Sequence, residues 1–275
     1  MYLVFDIGGT NTRIATSQDG QALGNQKTFF TPQDFEEGIE LFQKTALELT
    51  KGERISVAAG AVRSPLNKNK SFFVNNSILP NWINQPLKER LQQSLSTSVF
   101  LENDAALAGL GEASFGAGKG YKIVAYITVS TGVGGARIVD GKVDTNSLGF
   151  EPGHQIIVMD GELCGCGGKG HLEGYISGSA IEKKFGQKPE DIKDPVVWDE
   201  VIKTLAVGLN NTIVHWSPDI IILGGGVTNS LPIEKVEEAL KKTVTVFTKV
   251  PDIKKASLGD DSGLLGALKY INNNG

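Results

Sequence analysis

The sequence predicts an α/β protein built from two units of similar plan, and three observations carry that reading. Short apolar segments alternate with amphipathic helical patterns along the whole chain. A strand, a glycine turn and a second alternating run occur twice, at Asp6-Ile7-Gly8-Gly9-Thr10 and at Ser130-Thr131-Gly132-Val133-Gly134-Gly135. With 275 residues, the chain is long enough for two domains of ordinary size.

The apolar run at Tyr2–Asp6 reads as a strand, Gly8-Gly9 as its connection, and Arg13–Ser17 as an antiparallel partner. Thr31-Pro32 offers a cap followed by proline at a first helical position. Phe35, Ile39, Phe42, Ala46 and Leu49 then recur at spacings of four and three, which buries one helix face, and Gly52 stops the helix. Ile55–Val62 is a short apolar strand. Ser64–Pro80 is polar and irregular, the natural place for a substrate-facing loop. Trp82–Leu95 reads as helix, Val99–Leu101 as strand, and Asp104–Ala113 as an alanine-rich helix. A second round begins at Tyr121 with a strand and glycine turn, then a hairpin whose Asp140-Gly141 suits a type I′ turn. Lys119 and Lys122 flank a glycine and read as a solvated turn. A Gly/His/Cys segment fills Gly149–Glu173. Helices follow near Ser177–Phe185 and Val196–Trp216, then the buried strand Ile220–Leu223 runs into Gly224-Gly225-Gly226. Helices near Ile233–Lys242 and Ser262–Ile271 close the chain.

Composition excludes several classes. Lys and Arg total 27 against 31 Asp and Glu, a net charge of −4, so no basic surplus exists to neutralise nucleic-acid phosphates. No apolar run of membrane-spanning length occurs, and the first residues lack the basic and apolar regions of a secretion signal. The protein is therefore expected to be cytoplasmic, with no membrane partner. The only two cysteines, Cys164 and Cys166, are separated by one residue within a glycine-rich segment. Such neighbours are poor disulfide partners, which turns attention to a metal site.

The glycine segments point to ligand approach. In Asp6–Arg13 the glycines bring backbone close to a phosphate, Thr10 and Asn11 add donors, and Asp6 at a strand end can hold Mg²⁺ through water. An ordinary tight hairpin with a capping aspartate would look the same. Ser130–Gly135 is no Walker loop, because the Gly-Lys-Ser/Thr ending is missing, and no dinucleotide fingerprint, because it leads into a hairpin arm. Leu223–Val227 lies at a strand end with room for a nucleoside near its glycines. Asp104 ends a strand and opens a helix, a position that suits either a helix cap or a catalytic carboxylate.

Taken together, these segments resemble the ROK family of bacterial sugar kinases and repressors, from Asp6-Ile7-Gly8-Gly9-Thr10 to Gly259–Ala267. The most specific piece is Glu151-Pro152-Gly153-His154 followed by Cys164-Gly165-Cys166-Gly167-Gly168-Lys169-Gly170-His171-Leu172-Glu173, similar to E-x-G-H and C-x-C-G-x-x-G-C-x-E. The resemblance implies a two-domain, actin-like (ribonuclease H-like) ATPase fold with an interdomain cleft. Domain limits are expected at 1–104 plus 261–275 and at 105–260.

By the same resemblance, Glu102-Asn103-Asp104-Ala105 matches an E-N-D-A element whose Asp is the catalytic base. A sugar hydroxyl has a very high pKa, so a carboxylate must accept its proton during phosphoryl transfer. Asn103, Asp104, Glu151, His154 and Glu173 are then implied to bind the sugar, with Gly60 a backbone neighbour. ATP is implied in the cleft, held by Asp6, Gly8, Gly9, Thr10, Asn11, Thr12, Thr131, Gly132 and Gly134, with adenosine near Gly225 and Gly226. Mg²⁺ would bridge its phosphates, and domain closure would exclude water. His154, Cys164 and Cys166 match three zinc ligands. The fourth, usually cysteine, is His171 here, a change that tetrahedral Zn²⁺ accepts in a structural His₂Cys₂ set.

The reading implied is an ATP-dependent hexose kinase, a homodimer, with glucose the preferred acceptor. N-acetylglucosamine, N-acetylmannosamine, mannose and fructose stay open, as does polyphosphate as donor. Asn75 and Asn76 suit the sugar-side loop, as Trp82 does, although an aromatic there also suits the core; His215 suits a structural role. The rival readings are a sugar-sensing repressor and a non-catalytic sugar-binding protein. A repressor would need a DNA-binding segment before the Tyr2 strand. Ser130 and Ala136, standing where the family usually has glycine, favour the non-catalytic reading.

Overall fold

A computed structural model describes residues 1–63, 65–75 and 79–274. In chain order the strands are β1 (Tyr2–Ile7), β2 (Asn11–Ser17), β3 (Gln26–Phe30), β4 (Val57–Val62), β5 (Val99–Asn103), β6 (Ile123–Val129), β7 (Val133–Val139), β8 (Lys142–Val143), β9 (Ile220–Gly224) and β10 (Asp252–Lys255). The α-helices are α1 (Phe35–Thr50), α2 (Leu87–Leu95), α3 (Asp104–Phe115), α4 (Glu173–Ile176), α5 (Gly178–Phe185), α6 (Pro195–Trp216), α7 (Ile233–Thr243) and α8 (Ser262–Asn274).

Two compact units form. Met1–Gly116, Gly141–Gly149 and the chain from Leu258 onward make the first; Ala117–Asp140 and Phe150–Ser257 make the second. These limits differ from 104/105 and 260/261 because α3 packs along α8 inside the first unit. The crossing is close: a Cβ on Gly266 would stand 1.8 Å from the Leu107 carbonyl oxygen, and one on Gly111 2.2 Å from that of Ser262. Only glycine lets the two backbones meet so tightly.

The first sheet has the order β3-β2-β1-β4-β5. β1 pairs antiparallel with β2, in register Asp6↔Arg13, and parallel with β4, in register Phe5↔Gly60. In the second unit the order is β10-β9-β6-β7, with β6 antiparallel to β7 and parallel to β9. A strand flanked by a hairpin arm on one side and parallel strands on the other thus occurs twice, as the sequence repeat implies. Asp140 and Gly141 both have positive φ, 51° and 69°, as a type I′ turn requires. The fold is mixed α/β with one such sheet in each unit.

α1 buries Phe35, Ile39, Phe42, Ala46 and Leu49, the expected stripe. Its start differs from expectation: Asp34 caps it, accepting from the Glu37 amide at 3.0 Å, and Pro32 lies outside. Trp82 belongs to a 3₁₀ turn at Pro80–Trp82, and α2 begins only at Leu87, because Pro86 cannot continue a preceding helix. Trp82 is core, as the second of its two sequence readings holds. It is buried, meets Phe35 edge-on at 5.2 Å and stacks with Phe73 at 6.3 Å. Phe73 therefore anchors a segment that sequence polarity alone marked as a loop. Asn75 is exposed, and Asn76 lies outside the described residues. The short, charged β3 and β10 carry no apolar run and escape sequence reading. No helix among the described residues is long and apolar enough to cross a membrane.

Candidate active site and metal cluster

The candidate residues fall into one group on each unit. In the first, Asp104 is the first residue of α3, and Asn103 caps that helix: its Oδ1 accepts from the Ala106 amide at 3.2 Å. The cap reading of Asp104 is thereby displaced. Asn103 keeps its Nδ2 group as a donor. The Asp104 carboxylate accepts from the Ala105 amide at 2.8 Å. Burial pushes its pKa up, against the pull of that amide and of the Arg63 charge.

Asp6, at the end of β1, lies in the same electrostatic environment. Burial first, and then the negative charge of Asp104, push its pKa up to about 7, while Arg13 and Arg63 oppose the rise. Arg13 is itself held by Asp260, through its carbonyl at 2.8 Å and its carboxylate at 3.1 Å. Arg63 escaped sequence reading; its signal is a cation just past the end of β4, where α/β sheets collect ligands.

The Asp6–Arg13 connection is a tight turn, with the Gly8 amide donating to the Asn11 carbonyl at 3.0 Å. Thr31 clamps it. Its hydroxyl donates to the Gly8 carbonyl at 2.8 Å and meets the Thr12 hydroxyl at 2.9 Å, while its amide donates to the Thr10 carbonyl at 2.8 Å. Thr31 was expected to cap α1 and instead shapes the glycine turn. Thr12 is buried with its hydroxyl engaged there, which leaves Gly8, Gly9, Thr10 and Asn11 as the accessible part of the turn. Gly60 lies mid-strand in β4, where a Cβ would stand 2.0 Å from the Phe5 ring, so packing alone demands glycine.

In the second unit Glu173, first residue of α4, accepts the Val133 amide at 2.9 Å. A Cβ on Gly132 would come within 2.7 Å of the same carboxylate oxygen, so this glycine admits Glu173. The Ser130 and Thr131 carbonyls accept from the Gly178 and Ser179 amides, anchoring the loop on α5. Thr131 is exposed and Gly134 pairs with Thr128 in the β6–β7 ladder. Gly225 has φ 89°, and a 3₁₀ turn at Gly226–Ser230 lies between β9 and α7. Glu151 is exposed, with its Oε2 3.9 Å from His154 Nε2. His215 is exposed in the last turn of α6.

His154, Cys164, Cys166 and His171 converge, their ligand atoms all within 4.8 Å of one another. Cys166 Sγ lies 3.2 Å from His171 Nδ1, and Cys164 Sγ 3.9 Å from His154 Nδ1. Tetrahedral Zn²⁺ with bonds of about 2.0–2.3 Å separates its donors by about 3.3–3.8 Å, so this set fits with a small contraction. Burial pushes the Cys164 thiol up to about 11, with the neighbouring Glu173 adding to the rise. A bound cation would supply the charge that makes it a thiolate.

The profile of the ROK family matches residues 2–274. The chain is 28% identical to the glucokinase of Thermotoga maritima, over 97% of this chain and 95% of that protein. It is 30% identical to the N-acetyl-D-glucosamine kinase of Escherichia coli O127:H6, over 97% and 98%. The structure superposes on that of a ROK hexokinase from Thermus thermophilus with a TM-score of 0.89, at 28% identity, covering 99% of this chain and 98% of that one. With a matching family profile, matching length and this likeness of fold, the chain belongs to the ROK family, whose members share the actin-like ATPase fold.

Proposed function

We propose that this protein transfers the γ-phosphoryl group of ATP to the terminal hydroxyl of a hexose, with glucose as its acceptor. The observation that carries the reading is Asp104. A half-buried carboxylate with a raised pKa, at a strand-to-helix junction, is a stronger base than a fully exposed one. The hydroxyl oxygen bonds to the γ-phosphorus, the bond from that phosphorus to the ADP oxygen breaks, and the hydroxyl proton passes to Asp104. Asn103 donates from Nδ2 to a sugar oxygen, and Glu151, His154 and Glu173 bind the remaining hydroxyls. Gly9, Thr10 and Asn11 in one unit, and Thr131, Gly132 and Gly134 in the other, supply phosphate contacts; Gly225 and Gly226 flank the nucleoside. Asp6 would hold Mg²⁺ through water, and the cation would supply positive charge to offset that of the phosphates.

His154, Cys164, Cys166 and His171 would hold Zn²⁺ in a structural role, since four protein ligands would leave no open position. With the ion bound, the His154 ring would be held in one orientation, and its other nitrogen would be available to the sugar. Access to ATP places the enzyme in the cytoplasm, and the assembly is a homodimer, which sedimentation will test.

N-acetylglucosamine phosphorylation is the second reading, favoured by the relative at 30% identity that carries that name. ADP release measured with glucose, N-acetylglucosamine, N-acetylmannosamine, mannose and fructose decides between them, with polyphosphate as an alternative donor. Sugar-dependent turnover that disappears in Asp104→Asn is expected. Turnover that survives this substitution, or no turnover with any sugar, overturns the reading.

A further inference from the structure

A cavity of about 330 Å³ in the first unit lies outside all the chemistry above. Against it, Lys70 Nζ is paired with the Glu102 carboxylate and lies 3.3 Å from the Tyr270 hydroxyl. Glu102 is only 5% exposed. The Lys70 amide donates to the Asn67 carbonyl at 2.8 Å, so a tight turn sets the backbone from which this lysine reaches Glu102.

The remaining lining decides the ligand class. Lys142 and Asp144 join Lys70 and Glu102, so both signs of charge stand in the wall. Any ionic ligand would meet a like charge there, whereas a neutral one meets none. Asn273 donates to the Gly141 carbonyl at 2.9 Å and Asn274 to that of Tyr270 at 2.8 Å, each leaving its own side-chain oxygen free to accept. The Lys142 ammonium has no partner among the described residues. Val143 is the only aliphatic side chain in the lining, so an apolar ligand gains little. Free acceptors, a free donor and a phenol hydroxyl, in a wall that carries both signs of charge, match a neutral molecule bearing several hydroxyl groups.

We propose that this cavity is a second small-molecule site, taking a neutral polyhydroxylated compound of monosaccharide size. The inference concerns binding and does not rest on the phosphoryl-transfer reading. Glu102 also accepts the Asn103 amide at 2.9 Å, so the cavity wall continues into the residue that caps the Asp104 helix.

Calorimetric titration of the zinc-loaded protein with glucose, sorbitol and myo-inositol tests this in the wild type, in a Lys142→Met/Asn273→Leu double variant, and in Tyr270→Phe. At least one probe should bind with an affinity that falls tenfold or more in the double variant and measurably in Tyr270→Phe. Melting temperatures should be retained, as should the acceptor KM in the kinase assay. If no probe binds, or if all binding is unchanged in both variants, the site does not exist. The titration reads the same whether or not any sugar is phosphorylated, so failure of the kinase reading is seen separately in the ADP assay.

Discussion

The Glu173 carboxylate accepts the Val133 backbone amide at 2.9 Å, tying the end of the cysteine-bearing segment to the glycine loop that opens β7. Its other oxygen lies 3.5 Å from Cys164 Sγ. One side chain therefore joins the His/Cys cluster to the glycine loop at Ser130–Gly135.

Glu173→Ala leaves the Val133 amide without its partner, at a cost of about 1–3 kcal/mol. A melting temperature lowered by several degrees and a raised ATP KM are expected. Glu173→Gln keeps a carbonyl acceptor and should retain most of the stability while losing sugar affinity. Thermal melts and initial-rate kinetics on both variants separate the two effects.

Asp104→Asn should lower kcat by about 10²–10⁴-fold, the usual worth of a general base, with little loss of stability, because Asn103 provides the cap. Asn103→Ala should instead cost about 1 kcal/mol of stability, since it leaves the Ala106 amide uncapped. If Asp104→Asn destabilised the fold as much as the cap deletion, its role would be structural.

Asp6 sets a pH dependence of stability. Its pKa is about 7 when folded against 3.8 as a free side chain, so the folded state holds a proton that the unfolded chain releases. That contribution is fully present below pH 3.8 and is lost as pH rises to about 7, amounting to at most about 4 kcal/mol. Asp6→Asn should therefore stabilise the metal-free protein at pH 8, hardly change it near pH 4, and abolish turnover. Denaturant titrations at the two pH values check the sign. Added Mg²⁺ should stabilise the wild type at pH 8 more than the variant.

Zinc loading should expel the proton of Cys164, whose thiol burial holds at about 11. Calorimetry in buffers of different ionisation enthalpy counts the protons released. His171→Ala should lower the zinc content measured by mass spectrometry from one per chain to well below one. Equal zinc in the variant and the wild type would remove His171 from the ligand set.

Much of the fold around the candidate site was legible because its signals are local. The Gly8-Gly9 turn, the Asp140-Gly141 hairpin, the apolar stripe of α1 and the spacing of Cys164, Cys166 and His171 are written within a few residues of one another. Backbone sterics and side-chain periodicity act over that range. Thr31 and Arg63 carry no such signal, since a threonine before a proline and a cation after a strand occur in many contexts.

The sequence alone determined the α/β plan, its internal repeat and the residue types offered for phosphate, sugar and metal. Tertiary structure decided which of them meet. It assigned the cap to Asn103 rather than Asp104, set Thr31 on the glycine turn, and joined Glu173 to Val133 and Lys70 to Glu102. It also raised the pKa of Asp6, because burial near a second carboxylate exists only once β1 and the start of α3 are packed. Such contacts join residues up to tens of positions apart, and their energies depend on distance and solvent exclusion, which only the folded chain establishes.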